Sequence, residues 1–216
     1  MKFLEVCVPI LKKFPGNKLL FLTKAGINNV PRILLDDPSL NRIIVMSHSL
    51  NPKPIIERFE KGTASLEDRL EAARNLQEAG YEVRLRIDPI IPIEDWPILY
   101  SELIEMIFEK YNLKPERITL GSLRGLKKTL LYAKDKDWTR YLNKHEKTGW
   151  GLKIKKDLRL SLYSRIIQDI RKHGFNGYVS LCKETPDIWE ELVSENLLLS
   201  PGRFGIWENV KCNCKN

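Results

Sequence analysis

Short apolar runs alternate with longer stretches in which apolar residues recur every three or four positions. Leu19 to Lys24, Arg42 to Ser47, Val83 to Ile87, Arg117 to Leu120 and Tyr178 to Cys182 are the short runs, read as buried strands. Asp88-Pro89 and Pro92 are expected to close the third strand, and Gly121 the fourth. Between them lie amphipathic segments. Ser65-Leu66-Glu67-Asp68 resembles a capping box, Leu66, Leu70, Ala73 and Leu76 follow at helical spacing, and Gly80 sits where a helix would end. Trp96 to Tyr111, Leu160 to His173 and Asp187 to Leu192 repeat the pattern, Val30 to Asp37 has room for a short helix, and Met1 to Lys13 reads as a first one.

Strand followed by helix in strict alternation predicts parallel strands joined by crossover helices. The expected fold class is α/β, a partial (β/α) TIM-like barrel. Strand starts near residues 19, 42, 82, 117 and 178 give five units where a closed barrel has eight. One domain over residues 1–216 is expected, lacking the first βα units, with a long insertion before the last strand. In such barrels chemistry sits in the loops after the strand ends. Lys24, the Ser47 to Asn51 segment, Asp88 to Pro92, Gly121 to Arg124 and Cys182 to Thr185 are therefore the places to look.

The net charge of +8 over 216 residues is not spread evenly. Residues 124–159 hold twelve Lys and Arg against four acids, a surplus of eight, so this basic insertion accounts for all of it. Tyr132, Trp138, Tyr141 and Trp150 are interleaved with the cations. Positive charge beside stacking rings suits nucleic-acid contact, with Arg124, Lys127, Lys128, Lys153, Lys155 and Lys156 as candidates. A solvated basic face with its rings turned inward would give the same composition. No apolar run is long enough for a membrane span, and no leader pattern opens the chain, so a cytoplasmic protein without membrane association is expected.

Lys24 at a strand end offers a point charge to a carboxylate or phosphate. Ser49 and Asn51 offer small polar groups beside Pro52, either to a ligand or to their own loop. His48 has no partner at metal spacing and reads as structural. Arg84 and Arg86 share a face of their strand and need partners, Asp88 among the candidates. No glycine-rich phosphate loop, nucleophile elbow or zinc-spaced cluster is present. Cys182, Cys212 and Cys214 form a metal site only if three separate thiolates converge; otherwise no metal is held.

Phe59 to Ala73, then Ala79-Gly80-Tyr81, resembles the spore photoproduct lyase branch of radical SAM enzymes. Leu22-Thr23-Lys24, Ser49-Leu50-Asn51, Asp88 to Pro92, Leu120-Gly121-Ser122 and Leu181 to Thr185 with Trp189 follow in the same order, as does Cys212-Asn213-Cys214. The resemblance implies a partial barrel that uses S-adenosylmethionine and a 4Fe–4S cluster for radical lyase chemistry of the DNA-repair type. It implies that Lys24 contacts the carboxylate of S-adenosylmethionine, that Ser49 and Asn51 are further cofactor contacts, and that Asp88 and Pro89 run near its adenine. The family's Cys-x-x-x-Cys-x-x-Cys cluster loop does not occur in this chain. The expected partners are therefore an N-terminal half carrying that loop, DNA, and a second copy through self-association. The alternative is a non-catalytic nucleic-acid-binding half barrel left from such an enzyme.

Overall fold

The computed structural model describes residues 2–14, 16–202 and 210–211. Helix α1 (Lys2–Leu11) leads into β1 (Leu19–Thr23), α2 (Arg32–Asp36), β2 (Ile44–Ser49), α3 (Lys53–Phe59), α4 (Leu66–Glu78) and β3 (Glu82–Ile90). Then come α5 (Trp96–Glu105), which runs on through a π turn at Met106–Lys110, and β4 (Arg117–Ser122). The insertion contributes β5 (Arg124–Gly125), α6 (Lys127–Tyr132), β6 (Asn143–Thr148) and β7 (Gly151–Lys153). It hands over to α7 (Lys156–Lys172), β8 (Tyr178–Leu181) and α8 (Pro186–Ser194).

Five strands form one parallel sheet in the order β1-β2-β3-β4-β8. The register sorts side chains by face, because alternate residues point to opposite sides. On one face Ile44, Met46, Val83, Leu85, Ile87, Ile118, Leu120, Val179 and Leu181 join the core shared with the helices. On the other, Ser47 lies beside Arg84, Ser49 beside Arg86, Arg86 beside Thr119, and Thr119 beside Ser180. This polar face is buried as well, with Ser47, Ser49, Arg84, Arg117, Thr119 and Ser180 all inside. It is the face that carries the candidate chemistry.

The helix termini follow the sequence signals. Ser65 caps α4, its hydroxyl accepting from the Asp68 amide at 3.1 Å. Gly80 takes φ +84°, the left-handed conformation that ends a helix at little cost for glycine. Strand β3 departs from expectation: Asp88-Pro89 does not close it. The strand continues to Ile90, and the register slips between Ile87 and Ile90. One extra residue on β3 forms a bulge, which lets a proline without an N–H sit inside a ladder. Helix α3 is unmarked in the sequence pattern because it has only two turns.

The basic insertion is not a plain loop. Its three strands form a second, antiparallel sheet in the order β5-β7-β6. Lys153 on β7 is buried, as is Trp138. The Lys153 ammonium reaches the Glu184 carboxylate at 3.3 Å and the Lys183 carbonyl at 2.6 Å. Arg159 binds the same Glu184 at 2.5 Å and also Glu146 of β6 at 2.7 Å. The Tyr163 and Ser122 hydroxyls donate to the other Glu184 oxygen at 2.8 and 3.2 Å. One buried carboxylate thus ties the insertion to β4, α7 and the end of β8.

Candidate functional site

The structure brings most of the expected site residues to the carboxyl ends of β1, β2 and β3. Lys24 follows β1, and its ammonium pairs with Glu60 at 2.5 Å. Asn51, fully buried just after β2, donates to the same Glu60 oxygen at 2.9 Å. Asn51 also accepts from the Tyr100 hydroxyl at 3.3 Å, which in turn accepts from the Ile91 amide at 2.9 Å. Sequence reasoning did not single out Glu60 as a site residue, and it is the hub. Its second oxygen pairs with Arg69 at 2.7 Å. Arg69, wholly buried, further donates to the Ser49 and Ala64 carbonyls at 3.0 Å each and to the Thr63 hydroxyl at 2.6 Å. That fan of bonds fixes the Gly62 turn against the end of β2.

Burial pushes the Glu60 carboxyl up, but hydrogen bonds from Lys24, Asn51 and Arg69 outweigh it and hold the group below the ordinary carboxylate range. Ser49, next to Arg86 in the register, lies on the polar face within this cluster. Lys24 also borders a cavity of about 590 Å³ lined by Thr23, Ala25, Asn29 and Thr63 and by the apolar Leu4 and Phe21.

A second cluster adjoins the first. The Asp88 carboxylate holds Arg86 at 2.5 Å and Arg124 at 3.0 Å. Gly121 is required opposite it, because a Cβ there would meet the Asp88 carboxyl carbon at 2.6 Å. The Arg86 guanidinium also donates to the Cys182 sulfur at 2.9 Å. Burial pushes the Cys182 thiol up, opposed chiefly by Arg86. Asp88 and Pro89, with Phe59, Arg124, Leu126 and Trp138, line a cleft of about 340 Å³ between the main sheet and the insertion.

The expected nucleic-acid residues divide. Lys127, Lys128 and Lys155 are exposed. Lys153 and Arg124 face inward in the ion pairs above, so neither offers its charge to a polyanion at the surface. Lys156 is half-buried and pairs with Asp187 and with Glu191 of α8. The Cys182, Cys212 and Cys214 metal alternative falls partly outside the described residues, which end before Cys212. Among the described residues no three His, Cys, Asp or Glu side chains converge as a metal site. No helix among them is long and apolar enough to cross a membrane.

The five-stranded parallel sheet, its buried polar face and the charges gathered at the strand ends define an α/β partial barrel. The family model for spore photoproduct lyase matches residues 3–121, more than half of the chain. The chain belongs to the spore photoproduct lyase family. It is 33% identical over 74 residues to the spore photoproduct lyase of Clostridium acetobutylicum, covering 34% of this chain and 22% of that protein. It is 34% identical over 90 residues to that of Bacillus subtilis, covering 42% and 25%. Among solved structures, a spore photoproduct lyase variant with a dinucleoside spore photoproduct superposes with a TM-score of 0.61 at 25% identity, over 76% of this chain and 50% of that one. Another variant, with bound AdoMet and the dinucleoside, gives 0.58 at 26% identity over the same shares. The chain thus spans about half the length of the solved relatives, and its matches cover about a quarter of the curated ones.

Proposed function

We propose that this chain forms the back portion of a radical SAM lyase site that acts on photodamaged DNA, with S-adenosylmethionine as the cofactor. The supporting observation is the convergence of Lys24 and Asn51 on one point at the ends of β1 and β2, beside Ser49, in a chain of this family. The donor set fits the cofactor's polar end. An ammonium and an amide N–H suit its carboxylate, and a hydroxyl suits one of its remaining polar groups. Asp88 and Pro89 border the adjoining cleft, where the adenine would lie. When bound, the cofactor supplies a 5′-deoxyadenosyl radical that takes hydrogen from the substrate. This chain's own residues bind the cofactor, orient it and keep water out. The described residues do not fit a 4Fe–4S cluster, so no step is assigned to them through it.

The cluster would come with a polypeptide that supplies the front of the barrel. Two features favour docking there. Strand β1 is a sheet edge with no neighbour on its outer side among the described residues. Beside it, Phe3, Val6 and Ile10 recur at helical spacing on α1 and are 53%, 63% and 53% exposed. An open edge next to an uncovered apolar stripe is suited to accept another strand and helix. A second copy of this chain is the competing occupant.

For DNA, the exposed cations of the insertion are the contact. Reversing Lys127, Lys128 and Lys155 to glutamate is expected to weaken duplex binding and to flatten the slope of log affinity against log salt by about 3, since each phosphate contact contributes about 0.9. Titration at several salt concentrations checks this. Unchanged affinity and slope would contradict the DNA-contact role.

A further inference from the structure

Lys24 and Asn51 are the two residues best placed to hold the carboxylate end of a ligand, and the protein's own Glu60 already occupies both. A single Glu60 oxygen receives the Lys24 ammonium at 2.5 Å and the Asn51 amide at 2.9 Å. That is the arrangement a ligand carboxylate oxygen would take up. The two ends of the Lys24–Glu60 pair differ in mobility. Glu60 is only 8% exposed and is anchored through its other oxygen by Arg69. Arg69 is held independently by three further acceptors, so it keeps its place against Glu60 whether or not Lys24 is present. Lys24 is 34% exposed and rides on a flexible four-carbon stem with three donors. Lys24 is therefore the partner that can turn away.

We propose that Glu60 is an internal competitor for the ligand's carboxylate, which must draw Lys24 off Glu60 in order to bind. Glu60 thereby sets how strongly the site discriminates a carboxylate-bearing ligand from one without it. This rests on the reading of Lys24 and Asn51 as cofactor contacts. The charge balance supports the direction. Lys24, Arg69 and Glu60 together carry one net positive charge, and neutralising Glu60 raises it to two while releasing an ammonium donor. The neighbouring Asp88, Arg86 and Arg124 cluster adds a further positive charge and supplies no second acid to Lys24.

The test uses the full chain and two probes, S-adenosylmethionine and its decarboxylated analogue, by isothermal titration. Glu60→Gln is expected to tighten S-adenosylmethionine about fivefold, a factor in keeping with loss of one partly screened competing pair. The decarboxylated analogue should be unaffected. Lys24→Ala in the Glu60→Gln background should remove the gain. Glu60→Asp, which keeps the charge but draws it back from Lys24, should shift in the same direction by less; it replaces Glu60→Gln if that variant fails to fold. If Glu60→Gln leaves S-adenosylmethionine binding unchanged or weaker while Lys24→Ala weakens it, the competitor role is overturned and the Lys24 reading stands. If the unaltered chain binds neither probe, or both equally, the Lys24 reading itself fails and the inference falls with it.

Discussion

Glu184→Gln is expected to lower the unfolding free energy by about 3–5 kcal/mol, the usual cost of removing one member of a buried ion network. Among the described residues Glu184 is the one acid that faces both Lys153 and Arg159, although Arg159 keeps Glu146 as a second partner. With glutamine in its place, the buried Lys153 ammonium is left with uncharged acceptors, the Lys183 carbonyl and the new amide oxygen, and with no countercharge from residue 184. Burial already lowers Lys153 from an ordinary lysine, with Glu184 opposing the shift, so losing the acid favours the neutral amine. The damage should spread to the insertion, because β6 and β7 are tied to α7 through Glu146, Arg159 and Lys153. Lys153→Met added to Glu184→Gln should restore part of the loss by removing one stranded charge. Urea unfolding of the three proteins measures this. A loss below about 1 kcal/mol for Glu184→Gln would show that the network is not what joins the insertion to the sheet.

The second large effect depends on pH and comes from His48. Its ring lies on the apolar face of β2, and neither nitrogen has a hydrogen-bond partner within the described protein. Burial, with Arg69 nearby, lowers its pKa from 6.5 to about 4. The folded chain therefore keeps the ring neutral over a range in which the unfolded chain takes up a proton. Between about pH 6.5 and 4 the unfolded state binds more protons, so stability falls as the pH is lowered through that window. From pH 7 to pH 5 the loss is roughly 2 kcal/mol, because each pH unit crossed below 6.5 is worth about 1.36 kcal/mol. His48→Phe should remove that part of the slope whatever it does to stability at pH 7. Equal slopes for both proteins would mean that His48 finds a proton acceptor in the folded state.

Strand positions were legible because each was a short apolar run between turn residues, and the α4 cap was legible as Ser65 three residues before Asp68. The pairing of Arg86 with Asp88 could be anticipated from their alternation on one strand face. The length of β3 could not, because a bulge that admits Pro89 depends on the neighbouring strand. Burial of Lys153 was hidden for a similar reason. Its partner Glu184 lies beyond the end of β8, distant in sequence, and the local sequence shows only another cation in a basic run. Glu60 stood inside the stretch that resembles the family, yet its role depends on residues 24, 51 and 69, which only the closed turn brings together. A lone acid just before the Gly62 turn was the one local hint.

On the proposed reading, these residues are the cofactor-holding back of a barrel whose iron-holding front lies outside them. The most direct test is anaerobic reconstitution with iron and sulfide, with and without a front-half polypeptide carrying the three-cysteine loop, followed by measurement of 5′-deoxyadenosine released from S-adenosylmethionine under reducing conditions. Release is predicted only from the pair, and much less of it when the chain carries Lys24→Ala. Release from this chain alone, or none from a pair that assembles and holds its cluster, would contradict that reading.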